Sequence, residues 1–244
     1  MLSKKEQKYI KSLKVKKYRL REKRFLVEGA KNILELVASD FKIDTIISTE
    51  DFSQSLVSHS KDIRIESVSG GLLSQLGTFK TNEAGIAVVR QKEMAKFNPE
   101  IDDHLFVLDG VGDPGNLGTI IRTLDWFGYK KLLCSEDCAE FYHPKTIAST
   151  MGSFSRLEVF YGNLNSILSN MSAPIFGADA GGMNIYKSDF EKPSVIVMGS
   201  ESHGISPDVQ KLINQTIAIP KVGNAESLNV GIATGIIAGY LRSF

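Results

Sequence analysis

Apolar residues recur along the chain in two rhythms. Ser3-Lys4-Lys5-Glu6 matches a capping box, and Tyr9, Ile10 and Leu13 follow at helical spacing, which predicts one basic helix from Ser3 towards Arg19. Short β-rich runs come next, at Phe25-Leu-Val-Glu-Gly29, Thr45-Ile-Ile-Ser48, Ile63-Arg-Ile-Glu-Ser-Val68 and Gly85-Ile-Ala-Val-Val89, with a helical pattern through Ile33, Leu34, Leu36 and Val37. They compose a small α/β unit. Residues 91–103 are polar, contain Pro99 and lack periodicity, so they read as a linker. Beyond it, Leu105–Leu108, Lys131–Cys134, Pro174–Ala178, Val195–Met198 and Ile217–Ile219 are short apolar runs alternating with helical segments. Such runs predict a mostly parallel α/β sheet covered on both faces. Two domains are expected, 1–98 and 103–244.

The helix after the first of these strands is the most informative. Leu117, Ile120, Ile121, Leu124 and Phe127 form an apolar face, with Asn116 as candidate N-cap. Thr119, Arg122, Thr123 and Trp126 form a second stripe that suits an interface or ligand surface; a solvated Arg beside an incidentally exposed Trp is the alternative. Just upstream, Gly110, Gly112 and Gly115 spell GxGxxG, the dinucleotide fingerprint of Rossmann folds. Pro114 removes a backbone donor from that turn, and Glu136 and Asp137 come late for the acidic strand end. The last helix carries Gly231, Gly235 and Gly239, each costing about 1 kcal/mol relative to Ala, so something must pack very close: a loop, a cofactor or a second subunit.

Composition narrows the class. At 244 residues, 42% hydrophobic and 23% charged, the chain can bury two cores. It has no apolar run of the ~20 residues a membrane helix needs, no signal-peptide pattern, and only two cysteines, so a cytoplasmic protein without membrane contact is expected. Cys134, Cys138 and His143 lack a fourth zinc ligand, so no metal is expected. A net charge of +1 conceals an asymmetry: residues 1–24 hold eleven Lys/Arg against Glu6 and Glu22, leaving the body mildly acidic. Such an arm is either a polyanion contact, with Lys14, Lys16, Lys17, Arg19, Arg21 and Arg24 as its candidates, or a solvated helix.

Three segments, in order and spacing, resemble the motifs of the SpoU/TrmH branch of the SPOUT methyltransferases. They are Asp113-Pro-Gly-Asn-Leu-Gly-Thr-Ile-Ile-Arg-Thr123, Val197-Met-Gly-Ser-Glu-Ser-His-Gly-Ile205 and Ile219-Pro-Lys-Val-Gly-Asn-Ala-Glu-Ser-Leu-Asn-Val-Gly-Ile-Ala233. The resemblance covers about residues 104–242, and the N-terminal unit is similar to the family's RNA-binding extension. It implies methyl transfer from S-adenosylmethionine to an RNA ribose 2′-hydroxyl, with ribosomal RNA expected over transfer RNA, a homodimer using the Trp126 face or the last helix, and a C-terminal trefoil knot. By resemblance Asn116, Arg122, Glu201, Ser227 and Asn229 are catalytic or RNA-facing, while Gly199, Ser200, Gly204, Ile219 and Leu228 cradle the cofactor. Leu124 stands where the family often has Ala, and Gly231 where it often has Ser.

The residue chemistry leaves alternatives beside these roles. A guanidinium stays protonated at neutral pH, so Arg122 suits orienting a phosphate and lowering the hydroxyl's pKa better than acting as a base. Asn116 reads equally as a helix cap, Glu201 as a carboxylate bracing its loop, and Ser227 and Asn229 as the start of the last helix. A catalytically idle RNA-binding protein on the same scaffold and, behind it, a nicotinamide-dependent oxidoreductase are the competing functions.

Overall fold

The computed structural model describes residues 2–56, 63–80, 82–93, 95–188 and 190–243. Two compact units are present, Met1–Glu93 with Glu140–Ser155, and Met94–Ala139 with Arg156–Phe244. In chain order the first contributes α1 (Lys4–Ser12), α2 (Lys16–Glu22), β1 (Arg24–Glu28), α3 (Ala30–Val37), β2 (Ile43–Ser48), α4 (Glu50–Leu56), β3 (Ile65–Ser67), α5 (Gly70–Leu76) and β4 (Gly85–Arg90). The second opens with β5 (Leu105–Asp109), α6 (Pro114–Trp126) and β6 (Lys131–Ser135), after which α7 (Pro144–Thr150) belongs to the first unit again. β7 (Glu158–Gly162), α8 (Leu164–Leu168), β8 (Ile175–Asn184), β9 (Val195–Gly199), α9 (Pro207–Gln210), β10 (Gln215–Ala218) and α10 (Val230–Leu241) complete the second.

In the first unit the strand order is β1-β4-β2-β3, antiparallel except for the β2–β3 pair. The capping box forms as the sequence implies, with Ser3 N donating to the Glu6 carboxylate at 2.8 Å and Glu6 N to Ser3 Oγ at 3.3 Å. The single helix expected from Ser3 to Arg19 is instead two, because Leu13 is fully buried and Val15 takes an extended conformation (φ −97°, ψ 129°) as N-cap of α2. The break leaves carbonyls without helical partners. Arg19 Nη1 fills the gap, donating to Leu13 O at 3.0 Å and Lys14 O at 2.7 Å, while its other edge grips Glu140. Arg19, expected among the RNA-facing cations, is therefore an inward-facing residue, 1% exposed, with its donors committed to protein.

Neighbours on a strand face opposite sides of the sheet. Leu26 accordingly joins Ile10, Leu13, Leu73 and Leu76 in one core, whereas the Phe25 ring meets Phe41, Tyr142 and Phe154 at 5.8, 4.5 and 6.3 Å. Two of those three rings come from Glu140–Ser155, so that segment supplies part of the unit's own core.

The second unit's strand order is β10-β8-β9-β5-β6-β7, with all five pairings parallel. β5 is buried throughout, as a sheet covered on both faces requires. The apolar pattern does not announce β7, an edge strand reading Glu-Val-Phe-Tyr-Gly in which only Val159 and Phe160 are buried. β8 outruns its apolar stretch, continuing through Asp179-Ala-Gly-Gly, and its pairing with β10 shifts between Thr216 and Ile217. A Cβ on Gly182 would lie 2.6 Å from Ile217 backbone there, so only glycine fits.

The glycine stripe of α10 packs on α6. A Cβ on Gly231, Gly235 or Gly239 would meet Thr119, Thr123 or Phe127 at 3.3, 3.4 and 3.0 Å respectively. These partners lie four residues apart, one helical ridge against one glycine groove. Arg242 closes the far end: it donates to Phe127 O at 2.9 Å and to both Asp103 oxygens at 3.0 and 2.6 Å, and lies 3.8 Å over the Tyr129 ring. Tyr129 donates to Ala238 O at 3.2 Å, and burial pushes its phenol up to about 12.

Gly239→Leu should destabilise the protein by about 1–3 kcal/mol in chemical denaturation through overpacking; unchanged stability would show that α10 does not sit so closely on α6. His104 is buried with Nδ1 2.6 Å from Ser194 Oγ, and burial, aided by the Lys192 and Arg242 cations, holds its pKa below the ordinary 6.5. Because the folded state favours neutral imidazole, its contribution is full above pH 6.5 and erodes as pH falls below it. The melting temperature should thus drop less from pH 7.5 to 5.5 in His104→Gln than in the wild type, and equal drops would contradict this.

Candidate functional site

The C-terminal ends of β5, β9 and β10 carry the loops where parallel α/β sheets place ligands. After β5, buried Asp109 accepts from Ser206 N at 2.7 Å, and Gly110, at φ +71°, donates its N–H to Ser135 Oγ at 2.9 Å. Ala139 N then donates to Val111 O at 2.9 Å and Cys138 Sγ to Leu108 O at 3.3 Å, fixing the start of the loop. The N-cap of α6 is Asp113, whose Oδ1 accepts from Asn116 N at 2.9 Å, with Pro114 in the first turn. This corrects the expectation of Asn116 as cap. Its side chain is left for other work.

Asn116 Nδ2 donates to Glu201 Oε1, and Asn116 Oδ1 accepts from Asn229 Nδ2 at 3.0 Å. Asn229 is at the same time the N-cap of α10, its Oδ1 accepting from Gly231 N at 2.9 Å and Ile232 N at 3.4 Å. One residue from each of the three motifs thus joins a single hydrogen-bonded chain, across sequence separations of 85 and 113 residues.

The loop after β9 is a closed turn. Ser200 and Gly204 exchange both backbone hydrogen bonds at 3.0 Å, and His203 N donates to Ser200 Oγ at 3.1 Å. A Cβ on Gly199 would fall 2.2 Å from the Gly204 carbonyl carbon, and Gly204 sits at φ +66°, so the motif needs glycine at both positions. This turn, the middle of β8, the segment 219–228 and the first turns of α10 enclose a cavity of about 430 Å³. Its walls include apolar Met198, Ile217, Ile219, Leu228 and Ile237, and its charged residues are Asp179, Glu201, Glu226 and Lys221. That is the size and mixed lining expected of a small-molecule site.

Of the sequence-predicted cofactor residues, Gly199, Ser200, Gly204, Ile219 and Leu228 all line this cavity, together with Glu201 and Ser227. Asn116 and Asn229 join it through Glu201. Arg122 is not in its lining; it is exposed on α6 and, among the described residues, has no hydrogen bond or ion pair, near Trp126, which is 85% exposed. Sequence reasoning missed Asp179, which lies midway along β8, and its only signal is that it directly follows the apolar run Pro174–Ala178. Among the polyanion candidates, Lys16, Lys17 and Arg21 are exposed. Lys14 reaches Gly77 O, with its pKa lowered by burial, and Arg24 pairs with Asp44. No cluster of three or more metal-ligating side chains occurs among the described residues, and none of their helices is long and apolar enough to cross a membrane.

Comparison with known proteins matches this geometry. A model of the SpoU rRNA methylase family matches residues 103–239, and a model of an MRM3-like substrate binding domain matches residues 4–87. The chain is 31% identical over 244 residues to the 23S rRNA (uridine(2479)-2′-O)-methyltransferase of Streptomyces viridochromogenes, covering 92% of this chain and 84% of that one. It is 29% identical over 175 residues to an uncharacterized tRNA/rRNA methyltransferase of Synechocystis, covering 70% of this chain and 64% of the relative's length. A solved structure from Porphyromonas gingivalis, described as of the TrmH family of RNA methyltransferases, superposes with a TM-score of 0.88 at 32% identity, over 100% of this chain and 99% of that one. With its three motifs joined at one cavity and the methylase model spanning more than half of its length, the chain belongs to the SpoU rRNA methylase family.

Proposed function

We propose that this protein is an S-adenosylmethionine-dependent RNA methyltransferase that methylates a ribose 2′-hydroxyl of ribosomal RNA, acting in the cytoplasm. The observation that carries the proposal is the Glu201–Asn116–Asn229 chain at the edge of the cavity. The lining fits the cofactor: apolar walls suit an adenine ring, three carboxylates against one lysine suit a cation, and Gly199 lets the backbone fold tightly beside it. Gly199, Ser200, Gly204, Ile219 and Leu228 would hold it, and when bound it supplies an electrophilic methyl group. The substrate assignment follows the family's description and the relative that acts on 23S rRNA.

The chain's own residues do the positioning. Each of Asn116 and Asn229 keeps one amide proton beyond those used in the chain, enough to hold a ribose edge, and the Ser227 hydroxyl lies at the rim. Orientation of this kind can lower a barrier by ~7–11 kcal/mol. Arg122, an exposed cation without a hydrogen-bond or ion-pair partner among the described residues, is suited to orient a phosphate and stabilise the developing alkoxide. Residues 1–98 form the RNA substrate-binding part and 103–244, apart from the segment Glu140–Ser155 that belongs to the first unit, the catalytic part. Exposed Trp126 beside Arg122 supports a homodimer across the α6 face. The return of the chain from the edge strand β10 to place α10 on α6 supports a C-terminal trefoil knot.

Titration calorimetry should show binding of S-adenosylmethionine and none of a nicotinamide dinucleotide, and 2′-O-methyl mapping should find one ribosomal RNA site lost when the gene is deleted. Binding of the dinucleotide instead, or an unchanged methylation map, would overturn the proposal. Arg122→Ala should lower turnover ~10²–10³-fold, as removal of an electrostatic stabiliser does, with cofactor affinity unchanged and Arg122→Lys partly active; wild-type turnover in the alanine variant removes Arg122 from the mechanism. Lys16→Ala with Lys17→Ala should flatten the log–log salt dependence of RNA affinity by about two, one for each phosphate no longer neutralised; an unchanged slope places the RNA elsewhere.

A further inference from the structure

Glu140 opens a segment that belongs to the first unit although its flanking residues, Ala139 and Arg156, belong to the second. Its two carboxylate oxygens accept from Arg19 Nε at 3.0 Å and Nη2 at 2.7 Å, while Arg19 Nη1 holds the carbonyls of Leu13 and Lys14. A guanidinium buried to this degree is costly unless its donors are partnered, and solubility or RNA affinity would be served by a surface lysine. The geometry gives it another use. On the seven-residue α2, Lys17 and Arg21 project from the side opposite Arg19, so one short helix carries both the exposed cations and the partner of Glu140. Immediately before Glu140, Ala139 N and Cys138 Sγ hold Val111 O and Leu108 O, and Ser135 Oγ accepts from Gly110 N. Two residues past Val111, Asp113 caps α6 and holds the backbone N–H of Asn116.

We propose that Arg19 and Glu140 are positioning residues that relay RNA engagement on α2 to the loop Asp109–Asn116, an inference that rests on the methyltransferase reading above. The test is Glu140→Gln in the full-length protein, which keeps side-chain size and leaves Arg19 its carbonyl partners. Under saturating RNA, kcat should fall about tenfold, while the Kd values for RNA and for S-adenosylmethionine stay within about twofold of wild type. An ion pair that merely holds the helices in place would instead weaken RNA binding and leave kcat at saturation intact, and that result overturns the relay. Should Glu140→Gln fail to fold, Lys17→Ala with Arg21→Ala, both exposed, carries the same test: the relay requires kcat at saturating RNA to fall as KM rises, and a change in KM alone contradicts it. A wild-type protein that neither binds S-adenosylmethionine nor methylates RNA removes the underlying reading, whereas an active wild type with unchanged kcat in these variants removes only the relay.

Discussion

The close seating of α10 on α6 is the constraint from which the site follows. Gly231, Gly235 and Gly239 bring the last helix against Thr119, Thr123 and Phe127, with no side chain on its own part of the contact. That distance sets Asn229, at the start of α10, within 3.0 Å of Asn116, at the start of α6. Asn116 in turn holds Glu201 on the closed turn after β9. Helix packing at one ridge therefore gathers three loops spread over 113 residues of sequence. The loss of helix propensity at three glycines, about 1 kcal/mol each, is offset by the contact they permit.

Much of this was legible in the sequence, for identifiable reasons. Strands buried on both faces show as unbroken apolar runs, so β5, β6 and β9 were visible, whereas the edge strand β7, with two buried residues, was not. Glycines at 199 and 204 were legible as motif members, but the reason for them, backbone folding onto backbone, lies in a close approach that no local pattern encodes. The glycine stripe correctly announced a close approach without naming its partner. Asn116 shows the limit of local reading: capping chemistry permits either Asp113 or Asn116, and only tertiary partners for the Asn116 amide decide between them. Asp179 lies past the point where apolar patterning ends, so periodicity could not place it at the cavity.

The basic arm carries a second lesson. Counting cations along residues 1–24 treats them as equivalent, yet their environments differ. Lys16, Lys17 and Arg21 face solvent, Arg24 is paired, and Arg19 is an internal fastener that replaces helical hydrogen bonds where Val15 interrupts the helix. Guanidinium geometry explains the choice, since a lysine could not serve two carbonyls and both oxygens of a carboxylate from one planar fork. A sequence presents all of these as charge, and burial separates them into surface and scaffold.

The convergence of the three loops on one ligand is tested most directly by a crystal structure of the protein grown with S-adenosylmethionine. The account predicts the ligand between the turn Gly199–Gly204 and the segment 219–228, with Asn116, Glu201 and Asn229 still hydrogen-bonded at its edge. A ligand lodged elsewhere, or those three side chains found apart, would contradict it.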